Sequence, residues 1–157
     1  KEPTIKLDRE TANIYPPATK TVTFTVTVNG VQGNSGVTWT SGNTKVATVS
    51  NGKVTAVSKG TATITAKANG KLAKAKVTVK DPYANVSPTS GTIKIGKTLQ
   101  LTTNYAPAST GTPSYSSSNK KVATVDSKGV VKGVKAGTAT ITVKVNGVTA
   151  KAELTVK

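Results

Sequence analysis

The sequence predicts an all-β protein built from two tandem β-sandwich modules without disulfide bonds. Three observations lead to this prediction: the second half of the chain repeats the first, Asn-Gly turns separate segments of alternating polarity, and none of the 157 residues is cysteine. Aromatic residues make up only 4% of the chain, so valine, isoleucine, leucine and alanine must form any core. Such a composition favours strands.

The internal repeat sets the domain organisation. Residues 52–80 align without a gap to residues 129–157, and 18 of the 29 aligned pairs are identical. A fixed offset of this kind indicates two copies of one structural unit. We place the boundary after Lys80, just before Pro82, which predicts domains at residues 1–80 and 81–157.

Residues 21–28 alternate strictly between threonine and apolar side chains, with Phe24 and Val26 on the apolar face. This period of two predicts one continuous half-buried strand. Its counterpart in the second copy carries Leu99 and Leu101 on the inner face.

Asn-Gly dipeptides predict the register of three hairpins, because a two-residue Asn-Gly loop favours a type I′ turn. The predicted opposed residues are apolar in every case: Ile64 with Ala75, Ile141 with Ala152, and Val49 with Val54. Several short strands joined by turns in each half are typical of an immunoglobulin-like β-sandwich.

Trp39 and Tyr115 occupy equivalent places in the two copies, just before a Val-Ala-Thr-Val segment. A repeated aromatic side chain is usually a packing residue, so we expect each ring to fill the core of its module. The alternative is that Trp39 stacks on a sugar.

Four segments of the first copy resemble the bacterial immunoglobulin-like group 2 family, also called Big2. These are residues 37–41, 45–49, 52–56 and 60–65, and the second copy matches through residues 115–119, 121–125, 129–133 and 137–142. The resemblance implies a non-enzymatic spacer or adhesion module, as found in bacterial cell-surface and cell-wall proteins, extracellular carbohydrate-active enzymes and bacteriophage virions. It also implies an extracellular location.

The composition argues against catalysis, since the chain has neither histidine nor cysteine and only six acidic residues. Asp8 and Glu10 form the only close acidic pair, and a divalent-cation site that also uses Asp81 is the alternative to a solvated terminus. We therefore expect no enzyme, no cofactor and no metal. No apolar run approaches the ~18 residues that span a bilayer, so we expect no membrane insertion.

The chain carries a net charge of +16, which is shared between the two halves. Residues 1–80 contain twelve basic and three acidic residues, and residues 81–157 contain ten and three. The hairpin register puts seven lysines on the outward faces: Lys67, Lys74, Lys76 and Lys80 in the first module, and Lys144, Lys151 and Lys157 in the second.

Two interpretations of these lysines stay open. They can form a solvated face that discourages association of sheet edges, or they can attract an anionic cell-wall polymer or glycan, with binding that weakens as salt rises. Specific nucleic-acid binding is disfavoured because Arg9 is the sole arginine and lysine lacks bidentate base recognition.

The sequence therefore predicts a surface-displayed spacer or adhesion module of a bacterial protein. Because the chain begins without methionine, we expect flanking domains of a larger parent protein. Two alternatives remain: a decoration domain of a phage tail or capsid that promotes host attachment, and an accessory domain of an extracellular carbohydrate-active enzyme.

Overall fold

The computed structural model describes residues 2–157, in which nineteen β-strands and no helix are found. The chain divides into two compact units, the first ending at Asp81 and the second beginning at Pro82. The prediction of an all-β fold is confirmed. The described residues contain no helix long and apolar enough to cross a membrane.

The first unit contains ten strands in three sheets. Strands β2, β10, β9 and β6 form a four-stranded sheet in that order, while β1-β4-β5 and β3-β8-β7 form two three-stranded sheets. The strands are β1 (Ile5–Leu7), β2 (Thr11–Ile14), β3 (Thr21–Thr23), β4 (Val26–Val28), β5 (Val31–Gln32), β6 (Thr38–Ser41), β7 (Ala47–Ser50), β8 (Lys53–Ala56), β9 (Gly60–Ala68) and β10 (Lys71–Val79).

The second unit repeats this architecture with nine strands. Its four-stranded sheet has the order β12-β19-β18-β15, and it is accompanied by the sheets β13-β17-β16 and β11-β14. The strands are β11 (Tyr83–Ser87), β12 (Ser90–Ile93), β13 (Thr98–Gln100), β14 (Thr102–Ala106), β15 (Ser114–Ser117), β16 (Ala123–Val125), β17 (Val130–Gly133), β18 (Gly137–Val145) and β19 (Val148–Val156).

The predicted hairpin registers are confirmed. Ile64 lies opposite Ala75 across β9 and β10, and Val49 lies opposite Val54 across β7 and β8. In the second unit Ile141 lies opposite Ala152. The three turn asparagines have positive φ angles, as a type I′ turn requires.

Each unit has its own apolar core between the four-stranded sheet and the smaller sheets. Most inward side chains of the long hairpin are fully or almost fully buried in both units, as alternation across a half-buried sheet requires, while Ala73, Val148 and Ala150 near the turns are half-buried. The largest fully buried side chains are Ile14, Phe24, Ile64, Val26, Val54 and Val77 in the first unit, and Leu101, Ile141, Leu154, Val131, Val143 and Val156 in the second.

The predicted continuous strand over residues 21–28 is wrong. The chain leaves the sheet of β3 at Phe24, whose amide donates to the carbonyl of Gly52 at 2.9 Å, and joins a different sheet as β4. The amide of Thr25 donates a hydrogen bond to the carboxylate of Asp8 at 2.9 Å. The apolar alternation continues through the break because both sheets face the same core, so the pattern gave no sign of the switch.

The second unit makes the same switch at Leu101, whose amide donates to the carbonyl of Gly129 at 2.9 Å. Strand β13 therefore ends before Leu101, and β14 pairs with β11 instead. Leu101 is buried and Leu99 half-buried, so the predicted inward positions are confirmed.

Candidate functional site

The outward face of the four-stranded sheet in the first unit is an array of threonine and lysine side chains, which we call the first lysine–threonine face. Cross-strand registers align these side chains in rows. Lys74 lies opposite Thr65, which in turn lies opposite Thr40. The outward residues of the four strands are Thr11, Asn13, Thr38, Thr40, Thr61, Thr63, Thr65, Lys67, Leu72, Lys74, Lys76 and Thr78.

The lysines predicted for this face are all exposed. Lys67 lies on β9, while Lys74 and Lys76 lie two residues apart on β10, about 7 Å along the strand. Lys76 is flanked by Thr63 on one neighbouring strand and by Thr11 on the other. No acidic residue occupies an outward position on β2, β6, β9 or β10, so the charge of these lysines is not neutralised within the face.

Lys80 stands at the end of this face, one residue beyond β10. Its backbone amide donates to the carbonyl of Ile14 at 2.9 Å, and its side chain is exposed. Lys157 is the equivalent residue in the second unit, where its amide donates to the carbonyl of Ile93 at 3.0 Å. The two lysines therefore occupy matching positions, each beside the strand that pairs in parallel with the last strand of its unit.

The second unit presents a corresponding face, the second lysine–threonine face. Lys151 lies opposite Thr142, and Lys144 lies between Thr149 and Ser114 on the neighbouring strands. Glu153 stands where the first unit has Lys76, with Thr140 as its cross-strand partner. The second face therefore keeps three of the four lysines of the pattern, Lys144, Lys151 and Lys157, and contains one carboxylate.

None of the seven candidate lysines forms an ion pair with a residue that the structure describes. The ion pairs found there join Arg9 to Asp8, Lys59 to Asp81, and Lys71 to Glu2. An unpaired ammonium group on an exposed sheet attracts phosphate, sulfate or carboxylate, and neighbouring threonine hydroxyls can donate hydrogen bonds to the same groups. The arrangement suits electrostatic binding and supplies no nucleophile activated by a base.

Trp39, the other candidate binding residue, is half-buried and packs against the core of the first unit. It lies opposite Ala66 across β6 and β9, and the edge of its ring lies against Gly52. The indole N–H is buried without a hydrogen-bond partner in the described chain. The ring thus serves the core, as the packing interpretation expects, and sugar stacking stays a prediction.

The acidic residues do not gather into a cation site within residues 2–157. Asp8 accepts the amide of Thr25 and lies 3.2 Å from Arg9, while Asp81 pairs with Lys59. Both carboxylates are therefore occupied by local partners.

Asp126 serves as a structural residue that the sequence reasoning missed. Its Oδ1 accepts the backbone amides of Val130 at 2.9 Å and of Lys128 at 2.8 Å, and it closes the loop between β16 and β17. These hydrogen bonds, first that of Val130 and then that of Lys128, lower the pKa of Asp126, because they favour the ionised carboxylate. An acidic residue followed by Ser-Lys-Gly was the available sequence signal.

A second basic cluster was also missed. Backbone hydrogen bonds bring the Lys94–Lys97 turn against Gly133 and against the carbonyl of Lys157, beside exposed Ile95. The alternation of inward and outward side chains along a strand could not reveal this cluster, because its lysines come from turns and a strand end rather than from one sheet face.

Comparison with known families gives one match that covers most of the chain. A family model described as bacterial Ig-like domain (group 2) matches residues 4–79 and again residues 83–156. Domains of this family are of a non-catalytic kind.

Two solved structures of the S-layer protein SbsC resemble this chain in fold. One, comprising domains 4 and 5, is 22% identical with a TM-score of 0.50, covering 99% of this chain and 98% of that one. A longer SbsC structure is 22% identical with a TM-score of 0.51, and the match covers 99% of this chain but 28% of that one.

Among curated proteins, a 3-O-alpha-D-galactosyl-alpha-L-arabinofuranosidase of Bifidobacterium longum subsp. longum is 54% identical over 52 residues. The match covers 32% of this chain and spans 5% of the length of that enzyme.

Proposed function

Because the chain belongs to the bacterial immunoglobulin-like group 2 family, we propose that it is a surface-displayed spacer and adhesion module of a larger bacterial protein, without catalytic activity of its own. Its lysine–threonine faces bind anionic polymers of a cell wall or glycan coat weakly and electrostatically. The family and the S-layer likeness fit an extracellular, cell-surface location.

The observation that carries the binding proposal is the repeated placement of unpaired, exposed lysines on the same sheet face in both units. Lys67 and Lys74 of the first unit have direct equivalents in Lys144 and Lys151 of the second, and all four side chains lie free of carboxylate partners in the described chain.

The geometry of these faces favours binding to many kinds of anionic polymer over selection of one kind. The lysine–threonine face lies on an open sheet, so a polymer is attracted by rows of charges rather than enclosed. Lysine ammonium groups act as point charges and impose little geometry on the anion they meet. We therefore expect each contact to contribute about 1 kcal/mol or less and binding to depend on many contacts at once.

Charge reversal tests the proposal, with purified poly(glycerol phosphate) teichoic acid as the probe. The face variant is K67E/K74E/K76E, and the control is K20E/K45E/K53E, which makes the same change in net charge at exposed sites off this face. We expect the face variant to lose the contribution of the first face and keep only the binding of the second, whereas the control should keep most of the binding. Equal losses in both would show that net charge, and not this face, governs binding.

A second candidate function is favoured by the 54% identity to a segment of the Bifidobacterium arabinofuranosidase. In this case the chain is an accessory module beside a catalytic domain that cleaves galactosyl-arabinofuranosides, as the name of that enzyme indicates. Retention by a neutral arabinogalactan in affinity electrophoresis, undiminished by added salt, would support it. Retardation that disappears with salt would favour the electrostatic proposal. The phage-virion alternative stays a prediction.

A further inference from the structure

Four Asn-Gly dipeptides occur in the chain, and all four asparagines have φ angles between 50° and 52°. Asn-Gly is the dipeptide most open to ring closure, because glycine has no side chain to hinder its amide nitrogen. Each of these turns is therefore a chemical site as well as a structural one. The four sites are Asn29-Gly30, Asn51-Gly52, Asn69-Gly70 and Asn146-Gly147.

We propose that Asn69 is the preferred site of spontaneous deamidation in the folded chain and that Asn146, its repeat equivalent, is protected. In this reaction the amide nitrogen of Gly70 forms a bond to Cγ of Asn69. The bond from Cγ to Nδ2 breaks, and ammonia leaves with the proton that the Gly70 nitrogen loses. Water then opens the cyclic imide at one of its two carbonyls, giving aspartate or isoaspartate.

Both polar atoms of the Asn146 side chain form hydrogen bonds. Its Nδ2 donates to the carbonyl of Pro107 at 3.0 Å, and its Oδ1 accepts from the hydroxyl of Thr110 at 3.2 Å. Gly111 packs so closely that an added Cβ there would lie 2.5 Å from this Oδ1. Ring closure must break both hydrogen bonds and rotate the amide out of this loop.

Asn69 has no such restraint. Its side chain is exposed and makes no hydrogen bond to any residue of the described chain. The flanking pair also differs, since Lys71 lies opposite Ala68 here, whereas Val148 lies opposite Val145 beside Asn146. A larger apolar pair resists opening of the hairpin end more strongly. The following glycine is open in both turns, so the difference lies with the asparagine.

The remaining two sites are intermediate. Asn51 is exposed, but Gly52 is buried, with the carbonyl of Phe24 only 2.8 Å from where its Cβ would lie, so its amide cannot pivot freely. Asn29 accepts the amide of Thr4 through Oδ1 at 2.9 Å. Both sites are therefore restrained by local contacts, but within residues 2–157 neither asparagine has hydrogen bonds at both polar atoms of its side-chain amide, as Asn146 has.

Peptide mapping of the intact chain during incubation at mildly alkaline pH tests the proposal. The exchange of ammonia for water changes the mass of each Asn-Gly peptide, and isoaspartate is distinguished from aspartate by electron-transfer fragmentation. We expect Asn69 to react at least about tenfold faster than Asn146, equivalent to about 1.4 kcal/mol in activation free energy. Equal rates, or a faster Asn146, would overturn the proposal.

Two controls test whether the difference in deamidation rate comes from the folded structure or from the local sequence. In concentrated urea the rates at Asn69 and Asn146 should converge, because the loop around Asn146 is lost, and a difference that persists there would contradict a structural cause. The variant Thr110→Val should accelerate Asn146 in the folded chain while leaving Asn69 unchanged. No acceleration would show that the hydrogen bond from Thr110 gives no protection. Neither outcome depends on what the lysine–threonine faces bind.

Discussion

Gly52 and Gly70 offer a matched test of the packing around Trp39. Both are the second residue of an Asn-Gly turn in the first unit, with φ angles of +84° and +74°. An alanine Cβ at Gly70 would meet nothing within 4 Å. At Gly52 it would lie 2.8 Å from the carbonyl oxygen of Phe24, 2.9 Å from Nδ2 of Asn34 and 3.3 Å from the Trp39 ring.

Both substitutions therefore destabilise the fold through the left-handed backbone conformation, but only one of them adds steric overlap. Alanine in a left-handed conformation costs about 1–2 kcal/mol, and this term applies to both variants. Only Gly52→Ala also forces neighbouring atoms apart, which typically adds about 1–3 kcal/mol. Because the Phe24 oxygen belongs to the backbone, it cannot move aside as a flexible side chain would.

Thermal or urea unfolding followed by fluorescence of Trp39, the sole tryptophan, reports on the unit that carries both substitutions. A difference of 1 kcal/mol corresponds to about 4–8 °C for a domain of this size. We expect Gly52→Ala to melt at least that far below Gly70→Ala. Equal destabilisation would refute the packing described around Gly52.

Three further predictions concern the second unit. Asp126→Asn should remove a pH-dependent part of its stability: the lowered pKa of Asp126 means that this contribution is present above about pH 4 and is lost as the pH falls through the folded-state pKa. Unfolding curves at several pH values check this, and an unchanged pH dependence would contradict the loop bonding to Val130. Thr103→Val and Tyr115→Phe each remove one partner of a 2.7 Å hydrogen bond, so each should cost about 0.5–1.5 kcal/mol and the double variant less than their sum. Additive costs in a double-mutant cycle would argue against that bond. Leu154→Ala, at a fully buried position, should destabilise this unit by about 2–5 kcal/mol, seen as faster amide hydrogen exchange of its strands. Unaltered exchange would contradict the assigned core.

The hairpin registers could be predicted from the sequence because turn chemistry and side-chain alternation gave the same answer independently. An Asn-Gly loop fixes which residues are opposite, and the pairing of Ile64 with Ala75 then puts apolar residues together. A register shifted by one residue would have placed Lys74 and Lys76 in the core.

The strand switch at Phe24 and at Leu101 could not be predicted in this way. Alternation reports which side faces the core, and the two sheets on either side of the break face the same core. The break depends instead on distant partners, such as the carbonyl of Gly52 for Phe24 and that of Gly129 for Leu101.

The alternation of inward and outward side chains predicted the candidate lysines that lie in a regular strand or directly at its end. Lys67, Lys74 and Lys151 were predictable because their outward position follows from the turn. The cluster around Ile95 was not, since tertiary hydrogen bonds assemble it. The tyrosine at position 115 likewise has a hydroxyl partner, Thr103, that no local pattern specifies, because the pair is joined across strands β14 and β15.

Mapping the contact surface residue by residue would show directly whether the lysine–threonine faces bind anionic polymers. The measurement is a titration of the isotopically labelled chain with teichoic acid, followed through backbone amide and lysine side-chain NMR shifts. If these faces bind the polymer, the largest changes should fall on β9, β10, β18 and β19 and should fade as salt is added. Shifts centred instead on Lys53 and Lys132 of the smaller sheets, or no shifts at low salt, would contradict it.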